Sequence, residues 1–344
     1  MPPMDHLEPS PAGPGQPGPA TMSRRNFHHV VAALAAYVPA PGLEQALADY
    51  RLDRPEARVD QHRCVELVGL LARRQGDPSL LLRGFRHLDG DQKLFPGLPG
   101  FPGDALTGAQ QFLRYLPLHT ELVEMTLEIG ADASELRLQR RAAFEDSHGQ
   151  AQALLFSSRR LLQRSGLKQV RAVHLQLRPS ASERARLAQL YDVPVHFGMP
   201  CDALLLDNNG LLHQNPASLS HLSALGARER LLRRIRPHIT VSESVRGLLP
   251  IVLGLPGTPL GLCASLLALS ERTLQRRVEA EGGSFRGLLQ ESRRELALTL
   301  MPWRALSAEQ LAARLGYRQS AQFYRAFRAW FGESPGSRRA LAPA

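Results

Sequence analysis

The chain has 344 residues, 43% of them hydrophobic, with a formal net charge of +10. That length exceeds one typical domain and predicts two, each able to bury its own core. Three scattered cysteines without a C-x-x-C pair exclude a disulfide framework or cysteine-based zinc site and point to a reducing compartment.

The charge is unevenly placed. From Arg228 to the end there are 19 Arg against 9 Glu and no Asp, so the whole excess lies in the C-terminal third. Arg outnumbers Lys throughout, which reflects coding bias, but bias does not explain the asymmetry. A neutral module joined to a polyanion-binding one does.

Residues 1–22 are rich in Pro, Gly and Ala and read as a disordered leader, with Met22 an alternative start. Arg24-Arg25 ahead of the apolar run Val30–Ala36 imitates a twin-arginine export signal, but the run is short and the His28-His29 pair before it is poor for such a signal. The expected element is a first amphipathic helix, ended by Pro39 and Pro41. Helices follow over Gly42–Tyr50 and Asp60–Gln75, where Cys64, Leu67, Val68 and Leu71 repeat at helical spacing, and then from Asp77-Pro78 through Phe85. A Gly/Pro-rich loop, Phe95–Gly103, precedes one more helix, Leu106–Leu116.

After Pro117 the period changes from helical to alternating. Val123, Met125, Leu127 and Ile129, a turn at Gly130–Ala133, then Leu136 and Leu138 predict a β-hairpin. A long helix (Ser147–Arg164), a strand (Val170–Leu177) and a Ser-capped helix (Ser182–Tyr191) come next. Two short strands follow, Val193–Gly198 and Ala203–Asp207, the second turning at Asn208–Gly210. Residues 23–226 thus read as an α+β domain, and 227–258 as a basic, Pro-punctuated connector.

The last stretch, 259–339, is all-α and holds two helix-turn-helix units. Cys263, Ala264 and Leu267 close one helix, and Ser270 caps the next, Glu271–Val278. Phe285–Met301 forms one linker helix that Pro302 stops. Leu311, Ala312 and Leu315 end another helix, Gly316 turns the chain, and Ser320 opens and caps the last with Phe323, Phe327, Trp330 and Phe331 as its core face. On the first recognition helix Arg272, Gln275 and Arg276 project opposite Leu274 and Val278. On the second, Ser320, Gln322, Tyr324 and Arg325 occupy the polar face. Arg can bridge guanine O6 and N7, and Gln can pair with adenine N6 and N7, so these seven are the predicted DNA-binding residues. Arg277 suits a phosphate or the linker helix.

The pattern Ala264-x2-Leu267-x-Leu269-Ser270-x-Arg272-x-Leu274-x-Arg276, followed by Ser284-Phe285, Arg293-x3-Ala297, Ser307-x4-Ala312-x2-Leu315-Gly316-Tyr317 and Phe331-Gly332-x-Ser334-Pro335, resembles the AraC/XylS transcriptional regulators. Gln319 and Ala321 depart from that family, which usually has an acidic residue and a Ser there. Val195-x-Phe197-Gly198 and Ala203-Leu204 resemble the sensor domain of its arabinose-binding-domain-like, ornithine-utilisation-regulator branch. The resemblance implies a cytoplasmic bacterial regulator, an activator working with RNA polymerase on double-stranded promoter DNA. It also implies a small effector or homodimerisation through the N-terminal domain, with no cofactor and no membrane.

An alternative is an N-terminal hydrolase or metal site built from His174, His196, His213, Cys201, Asp202 and Asp207. The sequence offers no nucleophile elbow, H-E-x-x-H, P-loop or G-x-G-x-x-G to support it. No catalytic residue is assigned, and no metal.

Overall fold

A computed structural model describes residues 20–53, 58–89, 103–141, 148–164, 167, 169–211, 214–215, 221–253 and 255–341. The expected leader up to residue 19, most of the Gly/Pro-rich loop and His213 lie outside them. Strand β1 (Thr21–Ser23) pairs antiparallel with β2 (Arg58–Asp60), two elements too short to read from sequence. Thr21 and Met22 therefore belong to the folded domain rather than the leader; the Glu121 carboxylate accepts from the Thr21 amide at 2.8 Å and its hydroxyl at 3.0 Å. Ser23 caps α1 (Arg24–Ala35), which buries Phe27, Val30, Ala33 and Leu34. Arg24 donates to the Leu52 carbonyl at 2.9 Å, so part of the arginine pair serves the fold. Pro39 and Pro41 do not end this helix but start α2 (Ala40–Asp49), where the fixed φ and missing N–H of proline suit a first turn.

Asp60 caps α3 (Gln61–Arg74), and α4 (Leu80–Asp89) follows. Helices α1 and α4 cross so closely that a Cβ on Gly84 would strike the Ala33 carbonyl, which explains glycine inside a helix. Strand β3 (Gly103–Asp104) leads into α5 (Ala105–Tyr115), capped by Asp104, and a 3-10 turn over Leu116–Leu118 connects to the sheet.

That sheet contains β4 (Val123–Ile129), β5 (Ala133–Arg140), β6 (Val170–Leu175), β7 (Val195–Phe197) and β8 (Asp202–Asp207), in spatial order β4-β5-β8-β6-β7. The expected hairpin is present with Leu127 opposite Leu136. Only β6 and β7 run parallel. Between these strands lie α6 (His148–Arg164) and α7 (Ala181–Tyr191), the latter closed by a Ser180–Glu183 capping box. The expected turn at Asn208 is a short helix, α8 (Asn208–Leu211). Its Asn208 amide accepts from Ser134 at 2.5 Å and donates to the Gly130 carbonyl at 2.9 Å, tying it to the hairpin. Strand β9 (Gln214–Asn215) pairs with β3.

The C-terminal half is all-α: α9 (His221–Ile235), α10 (Val241–Val252), α11 (Pro259–Leu266), α12 (Glu271–Ala280), α13 (Phe285–Leu300), α14 (Ala308–Arg314), α15 (Ser320–Phe331) and α16 (Pro335–Leu341). The stretch 227–258 is more than a connector. Helix α10, with Pro250 inside it, packs on α11, α12 and α13 and so joins the first helix-turn-helix unit. Buried residues form two apolar cores, and each crosses the domain boundary. Leu311, Phe323 and Phe327 continue the core of the α+β domain, whereas Val245, Leu248, Leu274 and Val278 pack with Tyr115 and Leu118.

Candidate nucleic-acid interface

The two units repeat one backbone device. In the first, Leu269 N–H donates to the Ala264 carbonyl at 2.9 Å, and in the second Tyr317 N–H donates to the Ala312 carbonyl at 3.0 Å. Both turns need a left-handed residue. Gly316 supplies it at φ 72°, whereas the first unit places Ala268 there at φ 55°, a conformation disfavoured for a residue with a Cβ.

Ser270 caps α12 by accepting from Thr273 N–H at 3.1 Å, as its sequence position predicts. Ser320 does not cap α15. It is the first helical residue, and Gln319 stands at the cap with no side-chain bond. The acceptor usually found in the family is missing there, and the amide side chain of Gln319 does not replace it. The turn is instead held from the linker helix: the Arg293 guanidinium donates to the carbonyls of Leu315 at 2.9 Å and Gly316 at 3.1 Å, and lies 4.3 Å from the Tyr317 ring centroid.

On α12, Leu274 and Val278 are buried while Arg272, Gln275, Arg276 and Arg277 are exposed. On α15, Phe323 and Phe327 are fully buried, Gln322, Arg325 and Arg328 are exposed, and Ser320 and Tyr324 are half-buried. Trp330 and Phe331, expected in the core, are only partly buried; Arg338 covers the Phe331 ring at 4.6 Å. Among the described residues, none of Arg272, Arg276, Arg325 and Arg328 has an acidic partner within ion-pair distance. A cation that has no partner inside the fold is available to a phosphate or a base edge.

Helix α5 of the N-terminal domain grips both units. At its C-terminal end Arg114 makes a two-pronged bond to Glu229 of α9, at 2.9 and 2.6 Å, and donates to the Ser244 carbonyl of α10 at 3.2 Å. Tyr115 adds a hydroxyl bond to the same carboxylate at 3.2 Å. The guanidinium lies where a Cβ on Gly247 would be, so α10 can approach only with glycine there. At the other end Asp104 receives Arg314 of α14 at 2.6 Å, and Thr107 receives the same nitrogen at 2.9 Å. Burial lowers the Arg114 pKa, but the bonds and charge of Glu229 outweigh it and the net shift is upward. At Arg314 burial wins over Asp104 and the net shift is downward. Sequence reasoning missed both, because nothing in the sequence shows a partner so distant.

Glu281, just past α12, accepts from the backbone amides of Val241 at 2.9 Å and Ser242 at 2.8 Å. It thus neutralises the start of α10, a favourable place for a carboxylate.

Of the residues weighed for an enzyme, His174 and His196 are brought together on paired strands and His174 and Cys201 line one groove, while Asp202 and Asp207 are held in structural bonds. Asp202 accepts from Gln176 N–H at 2.8 Å, and Asp207 pairs with Arg171 at 2.8 Å. The His174 and His196 rings meet edge to face, 5.5 Å apart. Burial raises the Cys201 pKa, opposite to what a nucleophile needs. Among the described residues no His, Cys, Asp or Glu group could hold a metal. His213 lies outside the described residues.

A family model described as the arabinose-binding domain of AraC transcription regulator, N-terminal, matches residues 38–215, and one described as a helix-turn-helix domain matches residues 263–340. An uncharacterized HTH-type transcriptional regulator of Mycobacterium tuberculosis is 42% identical over 72 residues, 21% of each chain. The match thus spans about a fifth of that relative. The ornithine utilization regulator of Pseudomonas aeruginosa is 29% identical over 247 residues, 69% of this chain and 70% of its own. The crystal structure of the transcriptional regulator CdpR from Pseudomonas aeruginosa aligns over 92% of this chain and 98% of its own, at 18% identity and a TM-score of 0.36.

Proposed function

Because the chain belongs to the AraC transcription regulators with an arabinose-binding-type N-terminal domain, we propose that it activates transcription by reading promoter DNA with α12 and α15, under the control of its N-terminal domain. It is a regulator rather than an enzyme. Arg272, Gln275 and Arg276 on one helix, and Ser320, Gln322, Tyr324 and Arg325 on the other, recognise bases in successive major grooves. The supporting observation is a pair of tandem helices on which Arg272, Gln275, Arg276, Gln322 and Arg325 are exposed.

The N-terminal domain receives a small effector or forms a homodimer, and the signal passes through α5. That helix is supported as the coupling element because it bonds to α9 and α10 at one end and to α14 at the other. An effector acts only through different affinity for two arrangements of that joint. RNA polymerase is the partner on DNA, and the cytoplasm is the compartment. No helix among the described residues is long and apolar enough to cross a membrane.

Selection of bound sequences from a random duplex pool tests the reading. Enrichment of one bipartite motif is expected, with half-sites about one helical turn apart. Binding that ignores sequence would overturn it, and genome-wide mapping of bound DNA then names the controlled promoters.

A further inference from the structure

The turn that follows α3 meets α4 and α7 around an open pocket of about 540 Å3. Three of the residues lining it are arginines, Arg83 and Arg86 on α4 and Arg186 on α7. Asp77 is the one carboxylate among the described residues of the lining, so three positive charges against one negative leave an excess of two. Before Arg228 the chain carries equal numbers of basic and acidic residues. The excess is therefore local, and separate from the charge of the helix-turn-helix units.

Asp77 organises these arginines from below. Its side chain is buried, and both oxygens are taken: Oδ2 accepts from Arg83 at 2.6 Å, and Oδ1 accepts from Arg186 at 3.1 Å and from Ser79 N–H at 3.0 Å. The Tyr37 ring braces the Arg83 guanidinium from another side, 4.3 Å from its centroid. Arg86 donates to the Gln189 carbonyl, and to Asp192 at 3.0 Å. A guanidinium carries five N–H donors, so these bonds fix the three groups and leave donors over. The side chains of Arg83, Arg86 and Arg186 are 38%, 38% and 42% exposed, within reach of a molecule entering from solvent.

Linking α4 to α7 would take a single arginine on Asp77. A second on the same carboxylate and a third beside them set like charges around one opening, a repulsion that a bound anion offsets. An ammonium or metal ion would meet those charges, with no free carboxylate oxygen to receive it. The larger groove on the open face of the sheet shows no such excess. There the charges pair with each other, Arg137 with Glu128 at 2.6 Å and with Glu135 at 2.7 Å.

We propose that the Arg83–Arg86–Arg186 pocket is an anion site for a small molecule with two negative charges on oxygen, a phosphate or a dicarboxylate. Planar guanidinium forks match such oxygens in pairs, and two charges balance the excess in the lining. The site belongs to the N-terminal domain and stands whether or not α12 and α15 read bases.

The test is calorimetric titration of the full chain with inorganic phosphate, succinate, acetate and chloride at constant ionic strength, with the salt dependence of DNA binding measured in parallel. Saturable binding of phosphate, succinate or both is expected, without saturation by acetate or chloride, and the dianion that binds identifies the source. Because α12 and α15 also attract anions, variants of the pocket decide. Arg86→Gln is expected to weaken dianion binding about tenfold, and Gln189→Glu, which brings a second carboxylate to the lining, about as much. Arg86 forms an exposed pair and Gln189 is exposed, so both variants are expected to keep the parent's melting temperature to within a few degrees. Should one fail to fold, the other decides. Absence of saturable dianion binding, an equal response to acetate or chloride, or an affinity unchanged by the variants overturns the site. So does a reduced salt slope for DNA in either variant, since the arginines would then hold the DNA backbone.

Discussion

Asp104 and Arg314 stand 210 residues apart in the chain and 2.6 Å apart in the fold, at the point where the N-terminal domain meets the second helix-turn-helix unit. Both side chains are buried. Arg114 and Glu229 make the corresponding pair at the other end of α5, over 115 residues. One helix of 11 residues, about 16 Å long, therefore sets where both units sit relative to the domain that precedes them.

Asp104 has two duties, because the oxygen that meets Arg314 also caps α5 through Thr107 N–H at 2.9 Å. Asp104→Ala is expected to cost about 3–5 kcal/mol, since it strands a buried guanidinium and uncaps the helix. Arg314→Met leaves the cap intact and is expected to cost less by at least about 1 kcal/mol. Urea denaturation of the two variants and of the double variant measures both, and equal losses would mean that the cap contributes nothing.

The two helix-turn-helix turns invite an exchange. Ala268 at φ 55° carries a left-handed strain of about 1–2 kcal/mol, while glycine would return about 0.4–1 kcal/mol of unfolded-chain entropy. Ala268→Gly is thus expected to stabilise the chain by about 0.5–1 kcal/mol. Gly316→Ala is expected to destabilise it by more than that strain alone, because its Cβ would also press on Leu253 Cδ2 at 3.1 Å. A melting experiment that moved both variants in the same direction would contradict this account.

Local physics made much of the fold legible. The alternation from Val123 to Leu138 gives the hairpin, and Ser270 and Gly316 mark a helix start and a turn, because caps and positive φ are properties of single residues. Three kinds of feature were not legible. Strands of three residues such as β1 and β2 have too few positions to show a period. Pro39 and Pro41 are as compatible with a helix beginning as with one ending. The α5 joint depends on pairs far apart in sequence, which no periodicity reports. The exposed faces of α12 and α15 followed directly from the spacing of Leu274, Val278, Phe323 and Phe327.

His119 gives the chain an acid sensitivity. Burial, then Arg228, Arg25 and Arg58, lower its pKa from 6.5 to about 4. Between those values the unfolded chain binds the proton and the folded one does not, so stability is full above pH 6.5 and falls as the pH drops toward 4. The full effect is about 3 kcal/mol. His29 and His174 are lowered too and act in the same direction. The slope of stability between pH 6.5 and 4.5 is expected to flatten in His119→Gln but not to vanish; an unchanged slope would show that His119 titrates normally.

The faces of α12 and α15 divide into residues expected to read bases and residues expected to hold phosphates, and the two behave differently on substitution. Arg272→Ala or Gln275→Ala should remove about 1–3 kcal/mol of discrimination at one base position while leaving random DNA bound almost as before. Arg328→Ala, on the exposed side of α15, should weaken specific and random DNA alike and reduce the salt slope by about one phosphate contact. Titrations against the selected duplex, its single-base variants and a scrambled duplex at two or more salt concentrations separate the classes. If Arg272→Ala and Gln275→Ala lowered affinity equally for every duplex, these residues would serve the backbone and α12 would not be a reading helix. Gln322→Ala and Arg325→Ala are expected to behave as the α12 variants do; if they left discrimination unchanged, the second unit would bind without reading.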